Sequence, residues 1–144
     1  MTPQIRAERS AQAMWATDAA SKWFGFTLDE VGPGWAKMSI TLSDDQLNGH
    51  GMAHGGVIFS LADSAFAFAC NSHNRLAVAQ HNSITYLSPG KQGETLVAEA
   101  REVSLSGRSG ITDVTVTGED GRKVALFRGA SRIIDGTHFE EEKA

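Results

Sequence analysis

The sequence predicts an α+β domain: one long central helix wrapped by a curved antiparallel sheet of five to six strands, plus an N-terminal helix. Three observations lead there. Residues from Val57 to Cys70 form an apolar run without Pro or internal Gly, too long for one buried strand, so they read as a helix. That helix is apolar almost all round and must be buried. After it come four segments rich in Val, Thr, Ile and Leu, split by turn residues, which read as strands.

Taken in order, residues 3–23 read as a helix, with Pro3 suited to its first turn and Gly25 to its stop. Ile5, Ala11, Met14, Trp15 and Ala19 give it an apolar stripe. Residues 24–31 form a weak strand candidate, closed by Gly32-Pro33-Gly34. From Trp35 to Leu42, Ala36, Met38, Ile40 and Leu42 alternate with Trp35, Lys37, Ser39 and Thr41, which is strand periodicity. Leu47 to Gly56 is loop, because its glycines break regular structure. The buried helix then runs from about Gly55 to Asn71. Strands follow at 77–87, 94–105, 110–118 and 122–134. Ser106-Gly107 and Glu119-Asp120-Gly121 are short enough to close antiparallel hairpins. Residues 1–135 thus make one domain, and 136–144 make a polar, disordered tail. One helix covers only one face of such a sheet. Its free edge is expected to pair with a second subunit, so a homo-oligomer is expected.

The totals narrow the function classes. The 144 residues carry a formal net charge of −4, which gives no reason to expect nucleic acid as a partner. A single cysteine, Cys70, excludes an intrachain disulfide and reads as a small core residue. No apolar run reaches transmembrane length, and residues 1–10 are charged, so a cytoplasmic protein with no membrane partner is expected.

The segment Leu47-Asn48-Gly49-His50-Gly51-Met52-Ala53-His54-Gly55-Gly56 carries the chemistry. It fails as a dinucleotide loop, because His54 stands where the third glycine belongs. It fails as a P-loop, because Val57-Ile58 stand where Lys and Ser/Thr are needed. His50 and His54 have metal-ligand spacing only on a helix, which the glycines oppose, so no metal is expected. Gly55-Gly56 opens the buried helix, where free backbone N–H groups and partial positive charge can hold an oxyanion. Asp63 is the one carboxylate in that helix and is costly to bury unless used. It is a candidate nucleophile or general base. Eight residues separate Gly55 from Asp63, roughly 12 Å along a helix. Both groups must lie within about 3 Å of one reacting centre. Two antiparallel helices across a dimer axis meet that condition, with Gly55 from one chain facing Asp63 of the other.

Asn48, the His54-Gly55-Gly56 triplet and Leu61-Ala62-Asp63-Ser64-Ala65 resemble the hotdog-fold acyl-CoA thioesterases, in particular the phenylacetic acid degradation (PaaI-type) branch. The similarity extends to Leu47-Asn48-Gly49-His50, Ile84-Thr85-Tyr86-Leu87-Ser88-Pro89-Gly90 and Val124-Ala125-Leu126-Phe127-Arg128-Gly129. The resemblance implies a hotdog fold assembled as dimers and commonly tetramers. It implies hydrolysis of acyl-CoA, with aromatic or hydroxylated aromatic acyl groups of the phenylacetyl type, to free acid and CoA. No metal or organic cofactor is implied, CoA being part of the substrate. The implied catalytic set is Asp63 as base or nucleophile, the Gly55 N–H as carbonyl donor, Asn48 orienting substrate or water, His54 supporting the loop, and Ser64 beside the acid. The matching candidates for CoA contact are Gly56, His81, Ser83, Tyr86, Lys91 and Arg108. His81 and Ser83 fall on one strand face. Two other readings compete: a hotdog hydroxyacyl-thioester dehydratase or hydratase, and a non-catalytic acyl-CoA-binding module.

Overall fold

The computed structural model describes residues 1–142. Helix α1 spans Pro3–Thr17, and Thr2 caps it by accepting a hydrogen bond from the Ile5 N–H at 3.1 Å. The expected helix over 3–23 is in fact two. Asp18 leaves the helical region (φ −82°, ψ 79°), and its carboxylate caps a second short helix, α2, Ala19–Phe24. Gly25, left-handed at φ 83°, ends α2. The apolar stripe runs on through Asp18, so periodicity alone hides the break.

Six strands follow: β1 Thr27–Gly32, β2 Trp35–Thr41, β3 Ala77–Tyr86, β4 Thr95–Ser106, β5 Ser109–Thr117 and β6 Lys123–Ile133. The long helix α3, Gly55–Cys70, sits between β2 and β3 in the chain. Together the strands make one sheet in the order β1-β2-β4-β5-β6-β3, antiparallel throughout. Register shifts in β1, β3, β4 and β6 mark bulges, which bend strands.

The core lies between α3 and one face of the sheet. Ala36, Met38 and Ile40 of β2 pair across to Ala100, Ala98 and Leu96 of β4, and Val114 of β5 pairs with Phe127 of β6. All of these are buried. Small alanines on the strands leave room for Leu61, Phe66 and Phe68 of α3, each at most 1% exposed. Burying each such side chain contributes about 1.5–3 kcal/mol. β1 and β3 are the two edges of the sheet, and most of β3 is exposed.

Residues 137–142, part of the polar tail 136–144, form neither helix nor strand, and side chains hold them against the domain. Asn74 accepts from the His138 N–H at 2.9 Å and donates to the Phe139 carbonyl at 3.0 Å. Arg9 lies over the Phe139 ring, and Arg6 pairs with Glu141 at 2.6 Å. These partners lie 64 or more positions away, so local composition does not report them. Residues 143 and 144 lie outside the described residues. Among the described residues no helix is long and apolar enough to cross a membrane.

Candidate active site at the start of the long helix

The Gly/His loop is held by its own polar groups. Asn48 Oδ1 accepts from the backbone N–H of His50 at 2.9 Å and of Met52 at 3.2 Å. Gly51 turns the chain at φ 75°. The loop then fastens to two neighbours: the Ala53 N–H donates to the Gly90 carbonyl, and the His54 N–H to the Gln46 carbonyl, both at 2.9 Å. The 90–94 turn is itself fixed by Glu94. Its side chain is 6% exposed, accepts from Arg122 and from the N–H groups of Lys91 and Glu119, and is held down to a pKa of about 2, chiefly by the Arg122 guanidinium.

His54 is the N-cap of α3, and its Nδ1 accepts from the Gly56 N–H at 2.9 Å. The bond requires Nδ1 without a proton. Val57 and Ile58 donate to the His54 carbonyl. The Gly55 N–H has no acceptor among the described residues. Tyr86 closes over this end: its hydroxyl donates to the Gly55 carbonyl at 2.9 Å, and a Cβ at position 55 would stand 3.3 Å from its ring.

Asp63 lies two turns further along α3, half-buried. Its Oδ1 accepts from Asn82 Nδ2 at 3.0 Å, while its Oδ2 has no hydrogen-bond partner among the described residues and is not closed off from solvent. Burial pushes its pKa up, and the Asn82 bond partly opposes that. Ser64, the next residue, turns to α2 instead. Its Oγ lies 3.1 Å from Ser21 Oγ, which in turn bonds to Asp18.

The remaining candidates divide. Gly56, at the helix start, has its N–H occupied by His54. His81 and Ser83 do share one face of β3, but it is the outer face: Ser83 pairs with Arg128, whose guanidinium bonds to Asp113 there. Asn82, opposite Gly129, faces α3. Lys91 bridges to Met52 beside the loop. Arg108 lies toward the other end of the sheet, in the β4–β5 turn, bonded to Asp135. Asn82 and the Glu94–Arg122 pair are the participants that sequence reasoning missed. Among the described residues no group of three or more His, Cys, Asp or Glu could hold a metal ion.

The family description "Thioesterase superfamily" matches residues 50–125, which include Gly55, Asp63, Asn82 and Tyr86. The chain belongs to the thioesterase superfamily. Across nearly its whole length this superfamily member is similar to the Escherichia coli (strain K12) protein named acyl-coenzyme A thioesterase PaaI. The two are 41% identical over 132 residues, covering 92% of this chain and 94% of that one. The structure of the E. coli PaaI protein, from the phenylacetic acid degradation operon, superposes with a TM-score of 0.92 at 40% identity, covering 94% of this chain and 99% of that one. A Streptococcus mutans protein, smu.793, solved bound to acetyl CoA, gives a TM-score of 0.75 at 31% identity over 78% of this chain and 90% of that one. The architecture of helix and six-stranded sheet is the hotdog fold. Asn48 stands just before the matched region.

Proposed function

We propose that this thioesterase-superfamily protein hydrolyses acyl-CoA thioesters to the free acid and CoA, preferring aromatic or hydroxylated aromatic acyl groups of the phenylacetyl type. One observation carries the reading. Along a single buried helix, a backbone N–H at Gly55 has no acceptor among the described residues, and two turns on a carboxylate keeps one oxygen held and the other open. The first can stabilise the oxyanion of a tetrahedral intermediate. The second can take a proton from water or attack the carbonyl carbon itself. The C–S bond then breaks and CoA leaves as its thiol. The acyl preference is supported by the similarity to PaaI of a phenylacetic acid degradation operon.

In this reading each site is built by two protomers. Strand β3 runs antiparallel to α3, with Asn82 beside Asp63 and Tyr86 beside Gly55. Ile84 lies midway. A two-fold axis at Ile84, pairing the free edge of β3 with its copy, would bring each Gly55 toward the other chain's Asp63. Two such dimers would form a tetramer through the outer sheet face, where Val103 and Leu126 are exposed. His54 caps the helix that carries the oxyanion donor, Asn48 offers its free Nδ2 to substrate or water, and Ser64 braces the helix beside the acid. Lys91, beside the loop and without an ion pair among the described residues, is the cation best placed for a CoA phosphate. No metal or organic cofactor is required, and a cytoplasmic location belongs to the same reading.

The test is a panel of acyl-CoA thioesters with thiol detection, run on the wild type and on Asp63→Asn. The expected result is thiol release, fastest with arylacetyl-CoA and lost in the variant. No release from any thioester, or full release by Asp63→Asn, refutes the reading. Double-bond formation or hydration without thiol release would indicate a dehydratase or hydratase.

A further inference from the structure

Three features accompany the Asp63–Asn82 contact. The first is an imbalance. Asn82 Nδ2 serves Asp63, while Asn82 Oδ1 is buried with no partner among the described residues. Leaving a buried acceptor unsatisfied costs about 1–3 kcal/mol, and buried amides in native structures normally pair both ends. The second is the room made for the contact. Asn82 stands opposite Gly129 of β6, and the Phe66 ring occupies the space a Cβ there would need, at 2.7 Å. Phe66 is one turn from Asp63, so a side chain at 129 on β6 would push α3 away from the sheet at this point. The third is the division of the carboxylate. The bond takes Oδ1 and leaves Oδ2 free and accessible.

We infer that Asn82 is the positioning residue for Asp63: it fixes the carboxylate by Oδ1 and aims Oδ2 at the reacting centre. This rests on the hydrolytic reading above. A donor to a carboxylate favours the charged form, whereas burial favours the neutral one. Around Asp63 the elements packed against α3 bring mainly apolar or uncharged groups: Ile84 from β3, Phe127 and Gly129 from β6, Ser21 from α2, Trp15 from α1, Leu28 from β1, Met38 from β2, Ala98 from β4 and Val114 from β5. The charged groups on this side are carboxylates, Asp18 behind Ser21 and Glu102 of β4 toward Cys70, and neither can relieve a negative charge. Cys70, two turns along α3, feels the Asp63 charge, but burial pushes its thiol up to about 12 and it stays neutral. Among the described residues no cation pairs with Asp63, so the task falls to the amide of Asn82.

The test is Asn82→Leu, nearly equal in volume but without a donor, with Asn82→Ser as the variant that keeps a donor in less space. Two readouts are taken. In the first, the Asp63 carboxyl is titrated by carbon-13 NMR in the full-length protein, and its midpoint should move to higher pH in Asn82→Leu and less in Asn82→Ser. In the second, kcat should fall about ten- to a hundredfold, the worth of one hydrogen bond to a charged group, with KM nearly unchanged and the acid limb of the rate profile displaced upward. An unchanged Asp63 midpoint in a folded variant overturns the inference, as does an unchanged kcat. Should Asn82→Leu not fold, the same two readouts on Asn82→Ser decide. If the wild type cleaves no thioester, the hydrolytic reading fails, while the NMR titration still decides whether Asn82 governs the ionisation of Asp63.

Discussion

The Tyr86 hydroxyl donates to the Gly55 carbonyl at 2.9 Å, and four residues back on the same face of β3 Asn82 donates to Asp63 at 3.0 Å. Four strand residues span about 13 Å and eight helical residues about 12 Å, so one strand touches both ends of the functional stretch of α3. The strand fixes where the helix starts and how its acid is turned. It also keeps the two groups apart within one chain.

Removing only the Gly55 N–H tests the oxyanion role. Gly55 is the first residue of α3, a position that favours proline, and His54 already has the extended backbone that a following proline needs (φ −62°, ψ 134°). Gly55→Pro should fold, with Tyr86 yielding by a few tenths of an ångström. Its kcat should drop about 10²–10³-fold, as expected for the loss of an oxyanion donor. A folded Gly55→Pro of normal kcat, measured by thiol release, removes Gly55 from the mechanism.

Asp63→Asn should abolish hydrolysis and stabilise the fold. Burial raises the folded pKa of Asp63 above its unfolded value. The folded state therefore holds the proton more tightly, and stability is fully present below the unfolded pKa and is lost as pH rises through the folded one. At pH 7 the ionised acid is a net cost that the amide removes. Thermal melts at pH 7 should show a higher Tm for the variant, and the difference should shrink as pH falls toward the ordinary aspartate range. A lower Tm at pH 7 would mean that the charge is structurally required.

These sites were unequally legible in the sequence. Helix α3 and strands β2, β4, β5 and β6 announce themselves, because burial on one or both faces leaves a period in the sequence. The distance between Gly55 and Asp63 likewise follows from helix geometry alone. Asn82 was not legible. It sits among His81 and Ser83, all polar, and only the pairing with Gly129 on β6 tells which of them turns inward. His81 and Ser83 were rightly placed together, yet on the side away from Asp63. Asn48 carries a loop-forming role on its Oδ1 that spacing cannot reveal, since its partners are backbone N–H groups. The docked tail and the break at Asp18 depend on single side-chain caps, which leave no periodic signal.

The Glu94–Arg122 pair sets the acid limit of the loop. The Glu94 carboxyl titrates near 2 in the fold, well below its unfolded value, so its contribution is present above the unfolded pKa and is lost as pH falls through the folded one. That window runs from about pH 4.5 down to 2. Glu94→Gln leaves Arg122 without its main partner and two backbone N–H groups with a weaker acceptor. It should cost roughly 2–4 kcal/mol in denaturant melts at pH 7 and lose most of that difference by pH 2. Since the 90–94 turn holds Ala53, the variant should also lower kcat. Equal stability of the two proteins at pH 7 would show that the pair is idle.

A site shared between protomers has a signature that no single-chain site can imitate. Mixing Asp63→Asn chains with Gly55→Pro chains and allowing exchange gives half heterodimers. In each, one site combines the intact Gly55 of the first chain with the intact Asp63 of the second, and the other site has neither. Activity should therefore recover to about a quarter of the wild-type value from two inactive parents. If Gly55 and Asp63 of one chain served the same substrate, every site in the mixture would lack one group and nothing would recover. The roughly 12 Å between them along α3 argues for recovery. The measurement is thiol release before and after exchange, with mass spectrometry to count heterodimers. Full exchange without recovered activity would place the whole site within one chain.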